Sequence, residues 1–394
     1  MVSVEEAYNI IRQNIHPLAA KQIKLEEAVG FVLDTAIFSP VNVPGFLQSS
    51  MDGYAFAYTP GYQDSPLQIT GMLQAGSPEL LEVTEGKAVR VFTGAPLPEG
   101  ADTVVMQEKT IFQNHSITIT DSNLIPGVNV RQIGADILKD SLTLTKGTLL
   151  TPATIGVLAS MGLSEVTVIN QPSIHIIVTG NELQAIGNPL SSGQVYESNS
   201  HMLVAALQQL GIKKISVEKV TDSLDNITAA IQNSISQSDV TLIVGGISVG
   251  DYDFVLEATQ RNGVDPLFYK VKQKPGKPLY LGKKGKQVVV ALPGNPASAL
   301  SCFYLYVTRI IDALSGTQNA PLIESAQIMN DYQKPAGFTH FLKGHYNRKQ
   351  KQVELLTGQE SFKMHSFAQA NCFVELGETV TAIKKGMIVQ IHLW

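Results

Sequence analysis

Five short stretches carry the residues most able to do chemistry, and all lie between positions 179 and 298. They are "TGNEL" with Glu182, "TDS" with Asp222, "GGISVGDYD" with Ser248, Asp251 and Asp253, "KQKPGKP" with Lys274 and Lys277, and "LPGNPAS" with Pro293 and Pro296. Lysines and the backbone amides of helix starts suit a phosphate or another oxyanion. Three or four carboxylates nearby would repel that anion. A hard divalent cation resolves the conflict, because Mg²⁺ is held by one or two carboxylates together with substrate phosphate oxygens. The set therefore points to a Mg²⁺-assisted enzyme acting on a phosphorylated or nucleotide-bearing substrate.

Each stretch alone has a plainer reading. Asp222 before Ser223 fits a helix cap, and acids at 251 and 253 suit a helix start. Lys274 and Lys277 fit a solvated turn around Pro275-Gly276. The argument rests on their number, since structure alone asks for neither the charges nor this much glycine in every turn. A rival chemistry sits in the same residues: Gly246-Ile247-Ser248-Val249-Gly250 matches the G-x-S-x-G of a serine nucleophile elbow, and His340, His345, His365 and His392 follow as candidate bases. Against it, no HGGG-type oxyanion loop precedes the motif, and two acids follow at once. The chain has no GxxxxGK[ST] and no GxGxxG, so ordinary NTPase and dinucleotide folds lack support. Cys302 and Cys372 stand apart with no CxxC, as expected of buried apolar thiols.

What would bring these stretches together is an alternation of strands and helices. "SIHIIV", "KISVEKV", "DVTLIV", "PLFYKV" and "KQVVVAL" read as strands. "SNSHMLVAALQQLG", "SLDNITAAIQNSIS", "DYDFVLEATQRNG" and "PASALSCFYLYVTRIIDAL" read as helices. Such alternation implies a doubly wound, mostly parallel α/β sheet covered on both faces, whose strand-to-helix loops leave from one carboxyl edge where ligands bind. Before it, helical patterns in "VSVEEAYNIIRQNI" and "LEEAVGFVL" give way to β-rich runs such as "LQITGML", "KAVRVF", "DTVVMQ" and "SITIT", and then to the helix "TPATIGVLASMG". After it, "FTHFLKGHYNRKQKQVELL" and "TVTAIKKGMIVQIHLW" turn β-rich again. The expected organisation is residues 1–45 with 138–170, a β-rich insert over 46–137, the α/β domain over 171–317 and a small C-terminal β domain over 318–394. A length of 394 residues supports several domains, and a formal charge of −5 gives no footing for nucleic acid. The acidic N-terminus and the lack of an apolar run of membrane-spanning length lead to a cytoplasmic expectation.

The motifs "SSMDGYA" (49–55), "TGAPLPEGADTVV" (93–105), "VRQIGADI" (130–137), "TGNEL", "GGISVGDYDF", "KPGKP" and "LPGNPAS" occur in an order and spacing that resembles the MoeA family, the molybdopterin molybdenumtransferases related to the E domain of gephyrin. The likeness covers nearly the whole chain. It implies an elongated homodimer of four-domain subunits, with the MogA-like α/β domain of one copy facing the β-rich insert of the other. It implies Mg²⁺-dependent insertion of molybdate into adenylylated molybdopterin, with release of AMP, and it makes a molybdopterin adenylyltransferase and molybdoenzyme acceptors the partners to test. By motif, Glu182, Asp222 and Asp253 would hold the metal and, with Asp52, serve catalysis. Thr93, Asp136, Ser248, Lys270, Lys274, Lys277, Pro293 and Pro296 would contact substrate, and Ser366 in "GQESFKMHSFAQAN" would be a more peripheral contact. One departure is Asn181, where the family usually has Asp. A MogA-like adenylyltransferase and a non-catalytic, gephyrin-like scaffold dimer are the alternatives; the segments outside the α/β domain argue against the first and the retained charges against the second.

Overall fold

The computed structural model describes residues 1–247 and 254–394 and divides into two compact units. One comprises Met1–Lys21, Gly30–Val32 and Val168–Trp394, the other Gln22–Val29 and Leu33–Thr167.

The first unit is organised by a six-stranded sheet in the order Ile215–Val220, Ile174–Thr179, Val240–Val244, Gln287–Leu292, Tyr280–Lys284, Asp265–Tyr269. The first four strands run parallel. Both of the sheet's faces are covered, which explains why its central strands are continuous apolar runs rather than alternating ones. Ile176, Val178, Leu242, Val244, Val290 and Leu292 pack toward the helix Asn199–Gln209 and the closing helix. Their neighbours Ile177, Ile243, Val289 and Ala291 pack toward Leu224–Gln237 and Val255–Arg261. The closing helix, Pro296–Ser315, is long and apolar enough to match a membrane span, contrary to the sequence expectation, but it is mostly buried in this core. Its middle turn, Phe303–Val307, is π-helical.

Tyr280–Lys284, which the sequence reading passed over, runs antiparallel to both Gln287–Leu292 and Asp265–Tyr269. That restores Asp265–Tyr269 to the direction of the parallel strands. The lysine-bearing turn after it therefore reaches the same carboxyl edge, although it joins two strands rather than a strand and a helix.

The C-terminal residues form a β-sheet in which Thr339–Asn347, Gln352–Leu355, Leu322–Ile328, Ile388–Leu393 and Cys372–Leu376 close on themselves. Residues 348–351 make the expected turn between Asn347 and its partner Gln352. Unexpectedly, Gln273–Lys274 adds to this sheet in parallel with Thr339–His340. The lysine turn is thus tied by backbone hydrogen bonds to a second layer.

The second unit holds a sheet ordered Thr103–Met106, Gly53–Phe56, Lys87–Val91, Leu67–Leu73, Ser116–Ile119, Thr110–Gln113. The segment read only as a motif, Gly53–Phe56, is a wholly buried strand of it. Gly53 is required there by approach: a Cβ would lie 1.9 Å from the carbonyl oxygen of Val105. The helix Pro152–Ser160 opens as the sequence suggests, with Thr151 and Thr154 forming a capping box and proline in the first turn.

Candidate active site

The carboxyl edge of the six-stranded sheet opens into a cavity of about 460 Å³ lined by Thr179, Glu182, Asn199, Asp222, Gly245 and residues 293–296, among others. Strand ends place these groups. Thr179 is the last residue of Ile174–Thr179, and its hydroxyl donates to Asp222 Oδ1. The backbone N–H of Asp222 donates to Asn181 Oδ1 at 3.2 Å, which ties two of the site's loops together. Gly245 has φ +99°, and a Cβ there would come within 2.5 Å of the Thr179 carbonyl oxygen. Only glycine lets this turn lie so close to its neighbour.

Glu182 and Asp222 have no ion-pair partner among the described residues. Two unpaired carboxylates in one cavity fit the donor set of Mg²⁺, which is content with one or two protein carboxylates when a phosphate supplies the rest. No group of three or more His, Cys, Asp and Glu suited to a metal occurs among the described residues. Asn199, which the sequence reading left out, has its Nδ2 bonded to the Gly294 carbonyl at 2.9 Å. That bond fixes the amide, and its buried Oδ1 has no donor among the described residues. In the sequence Asn199 is only one residue of the helical stretch "SNSHMLVAALQQLG".

A second cavity, about 660 Å³, adjoins the first and shares Pro278, Pro293 and Asn295 with it. Its character is different. Its polar lining includes Lys274, Lys277, His340, Asn295 and Ser361, with Glu360 as the acid. The two lysines line the same cavity, and their ammonium groups lie 5.7 and 5.9 Å from the centre of the same Phe338 ring. Glu360 is turned to Lys363 at 2.8 Å, which leaves it poorly placed to neutralise that pair. Burial, then the charges of Lys334 and Lys274, push the His340 pKa down to about 4, so the ring is neutral at pH 7 and serves as a hydrogen-bonding group. The far wall is a loop of the C-terminal sheet. Buried Lys343 donates to the carbonyls of Gly358 and Lys363 at 2.6 and 3.1 Å, and Asn295 Nδ2 donates to Ser361 Oγ at 3.0 Å. Ser366 supports this loop by donating to Gly358 O at 2.7 Å, and it lies outside the lining of both cavities.

The sequence-derived residues thus fall into groups. Glu182, Asp222, Pro293 and Pro296 line the acidic cavity; Lys274, Lys277 and again Pro293 line the basic one. Lys270 lines neither: it has φ +65°, and its ammonium stands 4.6 Å over the Tyr269 ring. Ser248, Asp251 and Asp253 lie outside the described residues. In the second unit, Thr93 donates to Asp52 Oδ1 through its backbone N–H at 2.8 Å and its hydroxyl at 2.9 Å, which holds the Asp52 carboxyl below the usual carboxylate range. Asp136 is exposed there, its backbone N–H bonded to Val43 O.

Residues 2–162 match the MoeA N-terminal region (domain I and II), residues 175–313 a probable molybdopterin binding domain, and residues 325–394 the MoeA C-terminal region (domain IV). A Haemophilus influenzae protein named molybdopterin molybdenumtransferase is 35% identical, over 97% of this chain and 98% of its own length. A Bacillus subtilis protein of the same name is 31% identical, over 94% and 89%. Two crystal structures of the molybdopterin biosynthesis MoeA protein from Pyrococcus horikoshii, each 27% identical, align over all of this chain with TM-scores of 0.84 and 0.82. With matched regions along almost its whole length and a site built at the edge of the matched binding domain, the chain belongs to the MoeA family.

Proposed function

We propose that this transferase of molybdenum cofactor biosynthesis inserts molybdenum, supplied as molybdate, into adenylylated molybdopterin and releases AMP. The observation that carries the reading is the pair of adjoining cavities of opposite character at one sheet edge. A nucleotide-bearing pterin and a tetrahedral oxyanion are both negative, and a single acidic pocket would admit neither without help. In this reading the acidic cavity takes the pyrophosphate, and Glu182, Asp222 and Asp253 are the residues that would hold Mg²⁺. The metal supplies charge neutralisation and polarisation of the phosphoryl group.

The chain's own residues do the rest. Thr179 and Asn181 fix the Asp222 loop, and Asn199 Oδ1 offers an acceptor to a substrate N–H or O–H. Lys274 and Lys277 take the oxyanion, with neutral His340 and Ser361 as hydrogen-bonding neighbours. The shared wall at Pro293 and Asn295 keeps the two substrates adjacent, and Pro296 starts the helix behind it. Asp52, Thr93 and Asp136 are proposed to complete the site from a second copy in a homodimer, and Ser248 to contact the pterin. A cytoplasmic setting, a molybdopterin adenylyltransferase as supplier and molybdoenzyme acceptors as recipients go with this reading.

The test is incubation with adenylylated molybdopterin, Mg²⁺ and molybdate, followed by detection of AMP and of molybdenum-loaded cofactor. AMP release that proceeds equally well in Glu182→Ala and Asp222→Ala proteins would remove the acidic cavity from the reaction.

A further inference from the structure

Beneath the basic cavity lies a buried relay that the proposed chemistry does not use. Gln273, fully buried, precedes the lysine turn, and its Nε2 donates to the carbonyls of Pro275 and Gly276 at 3.1 and 3.2 Å. Its Oε1 accepts from the hydroxyl of Tyr306. One side chain therefore grips the turn between the two lysines from inside and is itself held by a second. Gly276 has φ +82° and packs against the closing helix so closely that a Cβ would stand 2.4 Å from Cys302 Sγ.

Tyr306 sits on the π-helical turn Phe303–Val307 of an otherwise α-helical segment. A π turn inserts one residue relative to α geometry and re-aims the side chains that follow, and such turns concentrate at functional sites. Its ring is wedged against Tyr8 at 5.3 Å, and Arg309 lies 4.1 Å above Tyr8. Burial raises the Tyr306 pKa well above its ordinary value, so the hydroxyl remains a donor at any working pH.

We infer that Gln273 and Tyr306 are positioning residues for oxyanion binding: the π turn aims Tyr306 at Gln273, and Gln273 sets the curvature of the turn that brings Lys274 and Lys277 to one cavity. This rests on reading the basic cavity as the oxyanion site. Loss of the Tyr306–Gln273 bond leaves the ring packing intact but releases the turn, so anion affinity falls while the chemistry in the acidic cavity is spared.

The experiment titrates the full chain with sodium molybdate by calorimetry and measures the KM for molybdate in AMP release. The variants are Tyr306→Phe, Gln273→Met, Lys277→Ala and the Tyr306→Phe/Lys277→Ala pair. Losing one hydrogen bond from the relay is expected to weaken molybdate binding about fivefold in Tyr306→Phe. KM should rise more than kcat falls, with Gln273→Met showing the same split. The loss in the double variant should be smaller than the sum of the two single losses, because one of the two positioned lysines is already gone. A Tyr306→Phe protein that is less heat-stable yet binds molybdate as the parent does, or whose loss adds fully to that of Lys277→Ala, would overturn the inference. If Lys277→Ala and Lys274→Ala themselves leave molybdate binding unchanged, the oxyanion reading fails first and the inference falls with it.

Discussion

The two cavities share a wall but are built in different ways. The acidic one is assembled from loops that follow parallel strands, so its chemistry is inherited from the topology: wherever such a strand ends, its loop must arrive at that edge. The basic one hangs on a turn between two antiparallel strands, stitched by Gln273–Lys274 to the C-terminal sheet and walled by that sheet's own loop. The acidic site is thus the property of one domain. The basic site exists only where two layers meet, and residues from both hold it.

This comparison can be broken in order of expected effect. Asp222→Ala removes a carboxylate whose Oδ1 accepts from Thr179. It should slow AMP release roughly a hundredfold or more, as for other preorganised electrostatic groups, while molybdate affinity in calorimetry stays as it was. Gly245→Ala forces a Cβ to within 2.5 Å of Thr179 O at φ +99°. The strain, on the order of 1–3 kcal/mol, should appear as a lower unfolding midpoint and reduced turnover, again sparing molybdate binding.

Effects on the basic side should be smaller. His340 titrates near 4 in the folded chain against 6.5 when free, so the unfolded chain binds the extra proton first as pH falls. Stability tied to the neutral ring is complete above about 6.5 and is lost as pH drops through about 4. Because the ring borders an open cavity, the loss should be held to about 1–2 kcal/mol. Urea midpoints measured across that window should fall in the parent and flatten in His340→Gln. Smallest of all, Ser366→Ala deletes the hydroxyl that donates to Gly358 O and Lys363 O. That costs about 1 kcal/mol and should raise the KM for molybdate by no more than about fivefold, with AMP release at saturating molybdate unchanged.

The uneven legibility of the two cavities in the sequence has a physical cause. Period and punctuation reveal strand ends, so Glu182, Asp222 and Pro293 were placed on one edge from spacing alone. The lysines came to that edge too, but by an unforeseen route, since Tyr280–Lys284 reverses the sheet locally. His340 could be named only as a candidate base for a rival chemistry, and Lys343, Ser361 and the relay through Gln273 and Tyr306 were out of reach. They matter through contacts across 15 to 66 positions, and a buried glutamine or a π turn leaves no periodic trace. Asn199 was visible only as part of a helical stretch, because an orphan acceptor is defined by a missing neighbour. Gly53–Phe56 hid for a related reason: a glycine forced by strand contact looks like a glycine in a turn.

The most direct test of the division between the cavities is a crossed titration, with molybdate alone and with AMP plus Mg²⁺, on the parent, Asp222→Ala and Lys277→Ala. The account expects Asp222→Ala to lose AMP and keep molybdate, and Lys277→Ala to do the reverse. Loss of both ligands in either folded variant would contradict it.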